Sequence, residues 1–96
     1  MANIAVLGYG TVGSGVVEVL NTNKDRINSK SYEPINIKYV LDLRDFPGDP
    51  VQEIITHDYN DILNDNTIDV VVEVMGGINP AYTFVKQALE SGKSVC

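Results

Sequence analysis

The sequence predicts an α/β fold in which a parallel sheet is covered by helices on both faces. Short apolar segments typical of buried strands alternate with segments of helical periodicity, and this alternation implies right-handed β-α-β units. The first apolar segment ends in a glycine-rich turn that opens a helix, which is the second observation behind the prediction. Because the chain has only 96 residues, we expect residues 1–96 to form one small domain.

Five segments have the composition of strands in a parallel sheet. Residues 3–7 are apolar, residues 35–43 alternate and then become continuously apolar, and residues 68–75 are rich in β-branched side chains. Residues 54–56 are predicted to be a short strand. Residues 94–96 begin a further strand that is not completed. We therefore expect the sequence to be a fragment, truncated after the start of a strand.

Helices are predicted between these strands from periodicity and end signals. The helix after the glycine-rich turn has four apolar residues at helical spacing: Val12, Val16, Val19 and Leu20. Residues 45–50 form a turn cluster, and Asp58 is predicted to be the N-cap of a short helix through residue 63. Pro80 opens another helix, which Gly92 ends. Its apolar stripe is predicted to be Tyr82, Val85, Ala88 and Leu89.

The glycine-rich turn, G-Y-G-T-V-G, matches the dinucleotide-binding fingerprint G-x-G-x-x-G. Gly8 permits the tight turn, Gly10 lets the backbone approach a pyrophosphate, and Gly13 lets the helix pack close to the strands. The amides of Thr11 and Val12 would point at the phosphate, at the positive end of the helix. Because the motif directly follows a strand and opens a helix, it predicts a Rossmann-type doubly wound sheet. The alternative is a tight turn that binds nothing.

Two charged residues near the end of the second predicted strand give opposite indications of the cofactor. Asp42 would accept hydrogen bonds from ribose hydroxyls, which favours NAD. Arg44 could instead meet the 2′-phosphate of NADP. The alternative for both residues is a solvated charge in a loop. We expect tolerance of NADP without a strict preference, so the predicted cofactor is NAD(P).

A second glycine pair, Gly76-Gly77, follows the strand that contains Glu73. In open α/β sheets, ligands bind outside the carboxyl ends of the strands. A glycine pair at this edge would let the backbone approach the nicotinamide ribose. Glu73 itself is expected to reach water or an amide group, because lone carboxylates are seldom buried unpaired.

Three segments of the sequence resemble homoserine dehydrogenase. They are G-Y-G-T-V-G-S-G-V-V (residues 8–17), I-D-V-V-V-E-V-M-G-G (residues 68–77) and A-L-E-S-G-K-S-V-C (residues 88–96), and the similarity covers nearly the whole chain. The discriminating feature is E-V-M-G-G, because many related dehydrogenases have A-T-P or a similar tripeptide where this chain has M-G-G. The resemblance implies NAD(P)-dependent interconversion of L-homoserine and L-aspartate 4-semialdehyde, in the biosynthesis of threonine, methionine and isoleucine.

The resemblance also implies roles for individual residues. The glycine-rich turn would hold the pyrophosphate, and the second glycine pair would lie on the nicotinamide side. The catalytic and substrate-binding residues would follow residue 96, so none is assigned, and the fragment alone is expected to be inactive. At full length the resemblance implies a small amino-acid substrate and a homodimer. The candidate cofactor-binding residues are Gly8, Gly10, Thr11, Val12, Gly13, Asp42, Arg44, Gly76 and Gly77.

Composition and charge argue against other functions. Thirteen acidic and seven basic residues give a net charge of −6, without a basic cluster for nucleic acid or an anionic membrane. No apolar run reaches the ~20 residues of a membrane span, and the single Cys96 fits a reducing compartment, so a cytoplasmic location is expected. The single His57 is predicted to have a loop or capping role, and no metal site is expected. The alternatives are another Rossmann amino-acid or semialdehyde oxidoreductase and a non-catalytic NAD(H)-binding redox sensor.

Overall fold

The computed structural model describes residues 2–22, 35–75 and 81–96. Five strands of this part of the chain form one parallel sheet: β1 (Ala2–Leu7), β2 (Ile35–Leu41), β3 (Ile55–Thr56), β4 (Ile68–Glu73) and β5 (Ser94–Val95). The helices are α1 (Thr11–Thr22), a 3-10 helix (Pro50–Ile54), α2 (Tyr59–Leu63) and α3 (Ala81–Glu90). The strand order is β3-β2-β1-β4-β5, which reproduces the first five positions of the Rossmann order. The predicted fold class is confirmed.

Strand β1 is central in the sheet, because it pairs in parallel with both β2 and β4. Successive side chains of a strand point to opposite faces of the sheet. Ile4 and Val6 accordingly belong to one buried apolar cluster, and Ala5 and Leu7 belong to the other. The sheet therefore has a core on each of its faces.

Helices cover both cores. Val17 of α1 and Val51 of the 3-10 helix pack in the cluster that contains Ile4 and Val6. Ile62 of α2 and Ala88 of α3 pack in the other cluster. In the described part of the chain, no helix has the length and apolar character needed to cross a membrane.

The apolar stripe predicted for α1 is wrong at two positions. Val12 and Val19 are 63% and 58% exposed. The buried residues of the helix are Gly13 and Val17, which are four positions apart. A Cβ added to Gly13 would stand 2.0 Å from the carbonyl oxygen of Gly8, so only glycine allows this close approach. The contact turns the Gly13 and Val17 side of α1 toward the sheet.

Strands β2 and β4 each end two residues before the predicted boundary. Just after β2, Asp42 Oδ1 accepts a hydrogen bond from the backbone N–H of Arg44 at 2.9 Å. At the end of β4, the carboxylate of Glu73 accepts from the backbone N–H of Met75, which confirms the expectation that Glu73 reaches an amide. Such local bonds from side chain to backbone compete with strand pairing and explain both early ends.

The predicted N-cap at Asp58 and the predicted helix stop at Gly92 are confirmed, whereas Pro80, predicted to open the last helix, lies outside the described residues. Asp58 is the N-cap of α2, and its Oδ1 accepts from the backbone N–H two residues further on at 2.9 Å. Helix α3 ends at Glu90, and Gly92, two residues further on, has a φ of +89°. The N–H of Gly92 donates to the carbonyl of Leu89, and that of Lys93 to the carbonyl of Ala88, which is the Schellman pattern. The stripe predicted for α3 is wrong at Leu89, which is 57% exposed.

Candidate dinucleotide-binding site

The glycine-rich turn lies at the carboxyl end of β1, where the strand order reverses between β2 and β4. Crevices at such switch points are the usual ligand sites of open α/β sheets. Gly8 has a φ of +103°, in the left-handed region that favours glycine. Its N–H donates to the carbonyl oxygen of Leu41 at 2.8 Å, which ties the turn to the end of β2.

The three glycines of the motif have different steric surroundings. An added Cβ would stand 2.0 Å from the carbonyl oxygen of Gly8 at position 13, and 3.1 Å from Met75 Cγ at position 8. Packing against backbone therefore requires glycine at position 13, whereas at position 8 the positive φ favours glycine. A Cβ at Gly10 would meet nothing within 4 Å. The open side of Gly10 is what close approach of a pyrophosphate needs.

The start of α1 supplies hydrogen-bond donors beside Gly10. The N–H of Ser14 donates to the carbonyl oxygen of Gly10 at 2.9 Å, so Gly10 closes the first turn of the helix. The first amides of a helix, here including those of Thr11 and Val12, have no partner within the helix. Both residues are exposed. Free amides and the partial positive charge of the helix dipole suit a phosphate group.

Asp42 and Arg44 form a bidentate ion pair directly after β2. Arg44 Nε donates to Asp42 Oδ1 and Arg44 Nη2 donates to Oδ2, both at 3.0 Å. Asp42 also accepts from the backbone N–H groups of Arg44, at 2.9 Å, and Tyr9, at 3.0 Å. The Asp42 side chain is 10% exposed and that of Arg44 is 63% exposed. Asp42 and Arg44, which give opposite indications of the cofactor in the sequence, thus bind each other directly.

The pairing fixes the charge of both side chains. Hydrogen bonds from the Arg44 side chain lower the pKa of Asp42 from 3.8 to about 2, against the opposing effect of burial. The backbone N–H groups of Arg44 and Tyr9 lower this pKa further. The same hydrogen bonds raise the pKa of the Arg44 guanidinium. A carboxylate has about four acceptor positions, and Asp42 accepts four hydrogen bonds here.

An aromatic pair lies beside this ion pair. The rings of Tyr9 and Phe46 meet edge to face, with centroids 4.8 Å apart and an interplanar angle of 72°. Arg44 Cζ lies 5.2 Å from the centroid of Phe46, within the range of a cation–π contact. The Tyr9 hydroxyl donates to Asp49 Oδ2 at 3.0 Å. The second residue of the glycine motif is therefore joined to the loop that follows β2, residues 42–49, hereafter the β2 loop.

A pocket of about 400 Å³ opens at the carboxyl ends of β1 to β4. Its lining residues are Gly8, Leu41, Asp42, Leu43, Arg44, His57, Tyr59, Met75 and Phe84. Most of these side chains are apolar, with the Asp42–Arg44 pair and His57 as the charged or polar members. A concave, mainly apolar pocket with a few polar groups is typical of a small-molecule site.

Several lining residues were not predicted from the sequence. The rings of Tyr59 and Phe84 stack with centroids 4.3 Å apart, and the Tyr59 hydroxyl donates to the carbonyl oxygen of Phe84 at 2.6 Å. His57 lies in an exposed loop, as predicted, and its Nε2 is 2.9 Å from Asp45 Oδ1. The position of His57 directly after β3 was a usable signal, because parallel strands end at a common edge. No local signal marks Phe84.

The structure brings most of the predicted site residues to one edge of the sheet. Gly8, Asp42 and Arg44 line the pocket. Gly10, Thr11, Val12 and Gly13 lie in the adjoining glycine-rich turn and first turn of α1. Gly76 and Gly77 lie outside the described residues.

Comparisons with known proteins point to one family. A family model described as the NAD-binding domain of homoserine dehydrogenase matches residues 8–96. The homoserine dehydrogenases of Bacillus subtilis and Lactococcus lactis are 35% and 36% identical over 96% and 97% of this chain, which spans 22% and 23% of their lengths. A crystal structure of the Staphylococcus aureus homoserine dehydrogenase superposes with a TM-score of 0.89 at 41% identity, over 98% of this chain and 25% of that one. The crystal structure of the Thiobacillus denitrificans homoserine dehydrogenase superposes with a TM-score of 0.81 at 31% identity, over 98% of this chain and 22% of that one.

Proposed function

The chain belongs to the family of homoserine dehydrogenase NAD-binding domains, and on that premise we propose that residues 1–96 bind the dinucleotide of an enzyme that interconverts L-homoserine and L-aspartate 4-semialdehyde. The observation that carries the proposal is the open side of Gly10 between Gly8, whose backbone conformation favours glycine, and Gly13, where packing requires it. The activity is proposed for the protein at its full natural length, since this chain spans about a quarter or less of the relatives. A cytoplasmic location and a homodimer stay predictions of the sequence.

Each part of the dinucleotide is assigned to a separate group of residues. The pyrophosphate is assigned to Gly10 and to the first amides of α1, those of Thr11 and Val12. The adenine ring is assigned to the apolar pocket, and its ribose to the Asp42–Arg44 pair at the pocket. The nicotinamide, which supplies hydride chemistry when bound, is assigned to the side of residues 76–77 by the sequence resemblance.

The donors and acceptors at the ribose position support NADP as the cofactor. The four acceptor positions of Asp42 are used by Tyr9 and Arg44, so none is left for a ribose hydroxyl. Arg44 uses two of its five N–H donors on Asp42 and keeps the others, on a largely exposed side chain. A 2′-phosphate needs donors and a positive charge, which this arrangement offers. The ribose of NAD would have to displace Arg44 to gain an acceptor.

The test is a spectrophotometric assay of the full-length protein with L-homoserine, run in parallel with NAD and NADP. We expect absorbance of the reduced nicotinamide to rise only when homoserine is present, and faster with NADP. A Gly10→Ala variant is the control for dependence on the proposed site. A folded protein that binds dinucleotide but gives no homoserine-dependent rise would mean that the substrate is wrong. A folded protein that binds neither dinucleotide would overturn the whole proposal.

A further inference from the structure

Arg44 is more firmly held than its exposure suggests. Its side chain is 63% exposed, and a free arginine side chain loses considerable rotamer entropy when a ligand fixes it. In this structure the guanidinium contacts both a carboxylate and an aromatic ring. The Asp42 carboxylate accepts hydrogen bonds from its Nε and Nη2 at 3.0 Å, and the centroid of the Phe46 ring lies 5.2 Å from Cζ. These two contacts together restrict the position of the guanidinium.

Phe46 is itself held through both its ring and its backbone. Tyr9 packs edge to face against the ring, at 4.8 Å between centroids. The backbone carbonyl oxygen of Phe46 accepts from the N–H of Asp49 at 3.0 Å, and Asp49 is the N-cap of the 3-10 helix, with Oδ1 accepting from the N–H of Val51 at 2.9 Å. The ring of Phe46 therefore contacts the glycine-rich turn, and its backbone is tied to a capped helix.

Tyr9 makes three different contacts with the β2 loop. Its backbone N–H donates to Asp42, its ring packs on Phe46, and its hydroxyl donates to Asp49 at 3.0 Å. Burial raises the pKa of the Tyr9 hydroxyl and the bond to Asp49 raises it further, so the hydroxyl remains a donor at neutral pH. The glycine motif leaves the identity of this residue open. The three contacts of Tyr9 connect the glycine-rich turn to the β2 loop, a role that the motif does not describe.

We propose that Phe46 and Tyr9 are positioning residues that hold the guanidinium of Arg44 ready for the 2′-phosphate of the dinucleotide. The proposal rests on the NAD(P)-binding function proposed above. Phe46 restricts the position of the guanidinium, and Tyr9 fixes Phe46 relative to the turn assigned to the pyrophosphate. Selectivity between NADP and NAD is then set partly by two aromatic side chains that act through Arg44.

The test measures dissociation constants of NADP and NAD for the full-length protein and its variants by titration calorimetry. Phe46→Leu is expected to weaken NADP binding about five-fold and to leave NAD binding nearly unchanged, since an exposed cation–π contact has a modest strength. Tyr9→Phe keeps the ring, removes only the hydroxyl bond to Asp49, and is expected to weaken NADP binding about two-fold. The matched control is Phe84→Leu, which alters an aromatic wall of the pocket and should weaken both dinucleotides equally.

A double variant separates positioning from general structural damage. In an Arg44→Ser background, adding Phe46→Leu should cause no further change in the ratio of the two dissociation constants. The proposal is overturned if Phe46→Leu weakens both dinucleotides equally, or if its effect persists without Arg44. A wild-type protein that binds both dinucleotides without preference removes the NADP assignment and the positioning role with it. A wild-type protein that is folded but binds neither refutes the earlier proposal instead.

Discussion

The glycine-rich turn and the β2 loop meet at one edge of the sheet but are built in opposite ways. The turn depends on missing side chains, since a Cβ at Gly13 would stand 2.0 Å from a backbone oxygen. The loop depends on side chains that contact one another: Asp42, Arg44 and Phe46. The difference suggests a division of work. On the proposed assignment, backbone groups would hold the pyrophosphate, which both dinucleotides share, and side chains would recognise the 2′ position, at which they differ.

The largest effect is expected from adding a methyl group to the turn. Gly13→Ala should lower the free energy of unfolding by about 3 kcal/mol, because its Cβ collides with backbone and the helix must move. It should also abolish dinucleotide binding. The matched control is Gly15→Ala in the same helix, where a Cβ meets nothing within 4 Å and should raise stability by up to about 1 kcal/mol. Chemical denaturation measures the free energy of unfolding of both variants. Equal changes in the two would show that the close contact at Gly13 does not decide the stability of the helix.

Gly10→Ala sharpens the comparison, because it separates binding from folding. The added Cβ has open space in the protein, so the free energy of unfolding should stay within about 0.5 kcal/mol of wild type. Dinucleotide binding should weaken by about thirty-fold or more, since the Cβ occupies the approach of the pyrophosphate. Fluorescence titration with NADP and with NAD should show equal losses. Unchanged affinity for both would remove Gly10 from the site.

Arg44→Ser tests the β2 loop and should weaken the binding of NADP only. Loss of the charged donors should weaken NADP binding about ten-fold, the usual range for a hydrogen bond to a charged group. NAD binding should be unchanged or tighter, because Asp42 regains acceptor positions for the ribose. Competition titration with the two dinucleotides measures the change in their affinity ratio. A ratio equal to that of wild type would mean that Arg44 does not face the 2′-phosphate.

The smallest effect concerns the dependence of stability on pH. The pKa of Asp42 is about 2 in the folded protein against an ordinary 3.8, so its pairing stabilises the fold above pH about 4. This contribution is lost as the pH falls from about 4 toward 2. Because Arg44 is largely exposed, screening by solvent limits the contribution of this ion pair to stability to about 1 kcal/mol. The free energies of unfolding of wild type and Asp42→Asn, measured by denaturation across this pH range, should converge in acid. A difference that stays constant with pH would contradict the lowered pKa of Asp42.

Local signals made much of the fold predictable from the sequence. The N-cap at Asp58 and the helix end at Gly92 depend on neighbouring residues alone, and both were predicted correctly. The ends of β2 and β4 were predicted two residues too late, because apolar residues continue past the point where Asp42 and Glu73 turn the backbone. Helix faces were predicted less well, since the close approach of Gly13 to the turn decides which side of α1 is buried.

The candidate site likewise has features that local sequence predicts and features that it does not. The glycine-rich turn was predictable, because its geometry belongs to consecutive residues. The ion pair was not, since Asp42 and Arg44 were predicted within or just after a strand that in fact ends before them. Phe84 reaches the pocket from α3 and stacks on Tyr59, a contact between distant parts of the sequence. Such pairings depend on the packing of whole elements and leave no local pattern.

The central position of β1 also has a consequence for how the chain is made. Ala2 pairs with Ile35 and Asn3 pairs with Ile68, so β1, which precedes both of its partners along the chain, completes its hydrogen bonds only after β4 has been synthesised. Until then an apolar segment with two open edges is exposed, which is the kind of surface that aggregates or recruits chaperones. In the finished protein the same amides should be among the slowest to exchange their hydrogens with solvent.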